Sequence, residues 1–169
     1  KDLETVQKRL ERVKKIAKTG NKEAQAELVV LLKVEETLLQ GVSVRTISFN
    51  EKEEVFIKSL QFITAKPVLY VCNVDEQSAV SGNSYVDKVK TAVRDENAEV
   101  IVLAVATEAD IAELEDYEER QLFLKDMGLQ EAGVSRLIRS AYTLLNLQTY
   151  FTAGEKEVRA WTIPIGASG

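Results

Sequence analysis

Histidine is absent from the 169 residues, and cysteine, methionine and tryptophan occur once each. Without an imidazole the chain lacks the commonest general base near neutral pH and the commonest metal ligand. The single cysteine, Cys72, can form neither an internal disulfide nor, by itself, a thiolate zinc site. A Cys–His nucleophile is excluded for the same reason. No apolar run approaches the ~20 residues of a membrane-spanning helix, and no signal-peptide pattern opens the chain. These absences lead us to expect a reducing, cytoplasmic setting with no membrane partner. Lys and Arg number 22 against 27 Asp and Glu, a net charge of −5, so the global balance does not favour DNA or any other nucleic acid. Local basic patches remain open to the chain, because net charge does not fix distribution.

What is present is patterned. Leu3, Val6, Leu10, Val13 and Ala17 alternate steps of three and four, the seam of an amphipathic or coiled-coil helix. Gly20 is a stop signal, and Asn21 can cap a second helix with a stripe of Ala24, Leu28, Leu31 or Leu32, and Leu38 or Leu39. So short a turn predicts an antiparallel helical hairpin. Gly41 ends it. Ser48 to Glu51 resembles a capping box, as does Asn50 with Glu53, and a third helix through Val55, Phe56 and Leu60 follows. The chain begins at Lys1, inside a helical pattern and without an initiator methionine, which is expected of a piece of something longer.

From Pro67 the period changes. Val68 to Cys72 is a continuous apolar run, as expected of a strand covered on both faces, and Val100 to Val105 is a second. Val86, Val89, Ala92 and Val93 predict a helix between them. Helices over 108–114, 116–126 and 131–145 follow. This order predicts an α/β fold with a parallel sheet whose other strands lie outside the chain. Residues 150–152 and 158–163 predict a hairpin with a glycine-containing turn.

The stretch "KPVLYVCNVDE", residues 66–76, delivers polar groups to the carboxyl end of a strand, where open parallel sheets bind ligands. The Asn73 amide offers a donor and an acceptor, and Glu76 can accept from ring N–H groups. Ala104, Val105 and Ala106, at the end of the second strand, would bring small side chains and bare amides beside a flat ring. The competing reading is that polar residues after strands are loop starts or helix caps. Spacing leaves both open.

"KPVLYVCNVDE", "EADIAEL", "LLNLQTYFTAG" and "EVRAWTIP" together resemble the YchF family, the Obg-like ATPases of the translation-factor GTPase superclass. The resemblance covers almost the whole chain, and "NLQTYFTAGEKEVRAWTI" is its most specific part. It implies the C-terminal part of a P-loop GTPase-like parallel sheet with a helical insertion. Residues 1–45 would be the helical, coiled-coil insertion and 46–145 the C-terminal part of the nucleotide-binding domain. Residues 146–169 would open a small β-rich TGS domain. The base-recognition motif then falls on Asn73-Val74-Asp75-Glu76. Related GTPases carry Asn-Lys-x-Asp there, so Val74 replaces lysine and Glu76 replaces aspartate. Glutamate is one methylene longer and cannot grip guanine from the same position, which implies ATP in preference to GTP. Asn73 and Val74 would line the adenine, Ala104, Val105 and Ala106 would back it, and Glu76 would shape the loop.

No G-x-x-x-x-G-K-[ST] stretch occurs in the chain, so the phosphate cradle and the Mg2+ ligands of an intact ATPase are expected elsewhere. The chain alone is therefore expected to be inactive, with no catalytic residue and no metal ligand of its own. The resemblance further implies association with the ribosome and ribosomal RNA. The basic residues Lys8, Arg9, Arg12, Lys14, Lys15 and Lys18 are then either an RNA contact or a solvated helix face. A non-enzymatic helical adaptor or RNA-binding module is the alternative, and the expected state is monomeric. Asp110, Glu113, Glu115, Asp116, Glu118 and Glu119 read as an exposed surface rather than a metal site. Cys72 reads as a strand residue, and Phe151 and Trp161 read as the core of the small sheet rather than a stacking platform.

Overall fold

Helix α1 (Asp2–Ala17) buries Val6, Leu10, Val13 and Ala17 along one face, while Lys and Arg occupy the other. In the computed structural model, which describes residues 1–96 and 98–167, Gly20 turns the chain at φ +84° into α2 (Lys22–Leu39). The Asn21 side chain accepts the Ala24 N–H at 3.0 Å and so caps α2. On α2 the ambiguous stripe resolves to Leu31 and Leu38, with Leu32 and Leu39 exposed, and Val30 and Val34 join the core. Arg9 pairs with Glu27 across the two helices at 2.9 Å. Gly41 closes α2 in a Schellman motif: its N–H reaches Leu38 and the Val42 N–H reaches the Thr37 carbonyl at 3.1 Å. The required φ of +75° is why glycine serves there.

Helix α3 (Glu51–Leu60) opens with the Asn50/Glu53 capping box, the second of the two candidates. It turns Ile57 inward and leaves Val55 exposed. The first compact unit, residues 1–66 with 95 and 96, is clasped by two polar groups. Asp2 is buried and accepts from the Ile63 N–H (3.1 Å), the Thr64 N–H (2.7 Å) and the Thr64 hydroxyl (2.7 Å). Burial opposes its charge, but the hydrogen bonds from Thr64 and Ile63 outweigh it and hold the carboxyl below its usual value. Arg45 pairs with Glu96 at 2.9 Å and donates to the Thr64 carbonyl at 3.2 Å.

The second unit comprises residues 67–94 and 98–167. Strand β1 (Leu69–Asn73) leads through α4 (Ser84–Ala92) to β2 (Glu99–Leu103), and the two strands pair in parallel from Leu69↔Glu99 to Asn73↔Leu103. Then come α5 (Val105–Glu113), α6 (Tyr117–Asp126) and α7 (Gly133–Leu144), with α7 packed on both strands. An antiparallel hairpin of β3 (Leu147–Ala153) and β4 (Val158–Pro164) completes the fold. Its turn is closed by the Gly154 N–H on the Glu157 carbonyl, and the Tyr142 hydroxyl of α7 meets the Thr162 hydroxyl at 2.8 Å. Hydrogen bonding to the side chains of Thr162 and, second, Thr149 lowers the Tyr142 pKa.

Three expectations need correction. Strand β1 is not covered on both faces: Val71 is 46% exposed, because a two-strand sheet with one helical layer leaves its other face open. Strand β2 stops at Leu103 rather than running to Val105, because the ladder ends at Asn73↔Leu103 and α5 starts immediately. Phe151 and Trp161 are exposed at 70% and 44% rather than forming a core, since a two-stranded hairpin has no second layer to enclose them.

Candidate functional site

The carboxyl ends of β1 and β2 lie side by side, and two hydrogen bonds fix what they present. The ladder continues one step past the strands, with the Val74 N–H on the Leu103 carbonyl at 2.9 Å. The Asn73 Oδ1 accepts the Val105 N–H, the first amide of α5, at 3.1 Å. An N–H partner requires the amide oxygen there, so the Asn73 NH2 is what remains to meet a ligand. The amide was expected to offer both a donor and an acceptor; the fold engages its oxygen with the Val105 N–H.

Asp75 caps the short turn Glu76–Ser78 by accepting the Ser78 N–H at 2.9 Å. Glu76 was expected to order this loop, yet its carboxylate is exposed and forms no hydrogen bond or ion pair among the described residues. Asp75 does the ordering, and the free carboxylate is that of Glu76. The signal for Asp75 was legible as an acidic residue three positions before Ser78, the spacing of a cap.

On the second strand the three small residues divide. Ala104 is buried, at 4% exposure, and faces a cavity of about 10 Å³ lined also by Ala79, Leu103 and Thr107. Val105 and Ala106 are exposed in the first turn of α5. The loop expected here is therefore a helix start. The backbone amides here belong to a helix N-terminus, where the dipole favours negative charge, and the first of them is already taken by Asn73.

Two residues that support this corner were missed. Glu108, in α5, accepts the Gly133 N–H at 2.7 Å and the Val134 N–H at 3.2 Å, and so caps α7 from another helix. A β-carbon on Gly133 would lie 2.6 Å from Glu108 Oε1 and collide with the Leu103 side chain. No local pattern links positions 25 apart, so periodicity could not reveal the pair.

None of the six candidate residues lines the groove of about 590 Å³ among α5, α6 and α7, whose walls include Tyr117, Arg120 and Leu124. An open ledge at the end of two strands does not enclose a cavity. Among the described residues no group of three or more His, Cys, Asp or Glu side chains could hold a metal, and Asp116 of the acidic stretch instead caps α6. No described helix is long and apolar enough to cross a membrane.

Parallel strands joined through a helix, preceded by a helical hairpin and followed by a small antiparallel sheet, define an α/β protein. No family model matches the chain. A protein named ribosome-binding ATPase YchF from Bacillus subtilis (strain 168) is 47% identical over 167 residues, covering 98% of this chain and 45% of that protein. The protein of the same name from Escherichia coli O157:H7 is 47% identical over 167 residues, covering 99% and 46%. A solved structure, the Schizosaccharomyces pombe YchF GTPase, matches with a TM-score of 0.84 at 31% identity over 99% of this chain and 46% of that one. The chain belongs to the YchF family. It spans about half the length of the curated relatives it matches, 45% in the first case.

Proposed function

We propose that this chain supplies the base-recognition corner of a ribosome-associated nucleotide hydrolase that uses ATP in preference to GTP as a regulatory switch. The observation that carries the reading is the Asn73–Val105 hydrogen bond of 3.1 Å, which draws the ends of two parallel strands into one ledge. Asn73 would offer its NH2 to the base, Val74 and the exposed Val105 and Ala106 would flank the ring, and Ala104 would support them from beneath. Glu76 stands where related GTPases place an aspartate; its extra methylene moves the carboxylate away from guanine N–H groups, and a mismatch of buried polar groups is heavily penalised. The names of the relatives, ATPase in bacteria and GTPase in the solved structure, make the base preference the point to measure.

On this reading residues 1–45 are a helical coiled-coil insertion, 46–145 belong to the nucleotide-binding domain and 146–169 begin a TGS domain. The γ-phosphate, its Mg2+ and the residues that position them would lie outside this chain, because the sequence has no phosphate-loop motif. Bound Mg2+ would neutralise developing phosphate charge; this chain would bind and orient the base. The chain alone would therefore not hydrolyse ATP. The intact protein would act in the cytoplasm, as a monomer, on ribosomes. Its ribosomal RNA contact would be the outer face of α1, where Lys8, Arg12, Lys14, Lys15 and Lys18 are exposed and form no ion pair among the described residues. That basic face also favours the second reading, a non-enzymatic helical adaptor for RNA.

Calorimetric titration of the full-length protein with ATP and GTP tests the first reading. Combining Val74→Lys with Glu76→Asp should move preference toward GTP, and an unchanged preference in the double variant would overturn the specificity argument.

A further inference from the structure

We propose that Glu108 is a positioning residue of the nucleotide corner, holding it through a clamp between α5 and α7; the proposal rests on the nucleotide reading above. Helix α5 is only nine residues long, and the residue at its cap position, Ala104, contributes no side-chain cap. Its first amide, Val105, is nevertheless the group that fixes Asn73. The angle of so short and weakly capped a helix must be set from elsewhere.

Glu108 supplies that restraint one turn later. Its carboxylate takes the Gly133 N–H at 2.7 Å and the Val134 N–H at 3.2 Å. These are first-turn amides of α7, whose own cap position, Ala132, carries no side-chain acceptor. A carboxylate at a helix N-terminus is favoured by both the unpaired amides and the dipole. The approach depends on Gly133, whose missing β-carbon leaves space for both Glu108 and Leu103. Leu103 is the residue whose carbonyl receives the Val74 N–H. Both fixed points of the corner, Asn73 through α5 and Val74 through Leu103, thus converge on the start of α7. Removing the Glu108 carboxylate frees α5 to pivot, and the Val105 amide moves away from Asn73.

The test uses the full-length protein, titrated calorimetrically with ATP and followed by amide hydrogen exchange. Glu108→Ala should raise the Kd for ATP about tenfold, a loss of ~1.4 kcal/mol, and speed exchange at the Val105 amide. Glu108→Gln keeps one acceptor oxygen for Gly133 and should recover most of the affinity. Asn83→Ala is the control: it removes a comparable cap, on α4, where Asn83 accepts the Tyr85 and Val86 N–H groups. It should lower the melting temperature while leaving the ATP affinity and Val105 exchange unchanged. If Glu108→Ala bound ATP as wild type does, or Asn83→Ala weakened binding equally, Glu108 would be a structural cap and the proposal would fall. Wild-type protein that bound neither ATP nor GTP would overturn the nucleotide reading, and the proposal with it. That outcome is distinguishable because it appears before any substitution is made.

Discussion

Asn73 and Val105 sit 32 positions apart, and a single 3.1 Å hydrogen bond from the Val105 N–H to the Asn73 Oδ1 joins the end of one strand to the helix after the next. Its polarity separates two functions of one side chain: the oxygen holds the fold and the nitrogen faces outward.

That separation predicts different outcomes for two substitutions. Asn73→Ala loses both functions and should cost about 1 kcal/mol of stability along with nucleotide affinity. Asn73→Asp keeps an acceptor for Val105, so its stability should stay near wild type while ATP affinity falls. Thermal melts paired with ATP titration separate the two, and equal stability losses would contradict the assignment.

The Asp2 clasp should make the first unit acid-sensitive. Burial opposes the Asp2 charge, but the bonds from Thr64 and Ile63 prevail, so the folded pKa lies below the unfolded one. The stabilisation is therefore present above about pH 4 and is lost as pH falls through the lowered value. Asp2→Asn, which turns an NH2 toward N–H donors, should cost about 1–3 kcal/mol at neutral pH and flatten this acid dependence in urea unfolding.

Gly133→Ala should destabilise by about 1–3 kcal/mol, because the added methyl meets Glu108 and Leu103 at once. Its φ lies outside the left-handed region, so the effect is steric. Pairing it with Leu103→Ala should recover part of the loss, and denaturant midpoints would show whether it does.

The basic face of α1 gives a salt prediction. If Lys8, Arg12 and Lys15 touch RNA phosphates, reversing all three to glutamate should reduce ribosome co-sedimentation of the full-length protein. The salt slope of binding should fall by roughly 0.7–0.9 for each phosphate that is no longer neutralised. Indifference to both changes would assign these residues to a solvated surface.

Legibility from sequence followed the range of the interaction that decided each feature. The helical hairpin was readable because Val6, Leu10, Val13 and Ala17 obey a local period, and Asn21 and Gly41 punctuate it within a few residues. The end of β2 was not, because Val105 has strand propensity and only the register set by Asn73 shows that the ladder has stopped. The two strand ends that carry the candidate corner were legible as apolar runs, but that Asp75 rather than Glu76 caps the turn between them was not. Both are acidic and adjacent, and only backbone geometry decides which caps the turn. Glu108 and Gly133 carried no signal, since tertiary packing alone brings them together.

The open face and edges of the β1–β2 pair have a practical consequence in solution. Among the described residues each strand has one neighbour, Val71 is exposed, and the segments 68–72 and 100–105 are apolar, uncharged and free of proline. Such segments seek further strands from any source. Expressed by itself, this chain should self-associate through these edges as its concentration rises, and light scattering against dilution would reveal it.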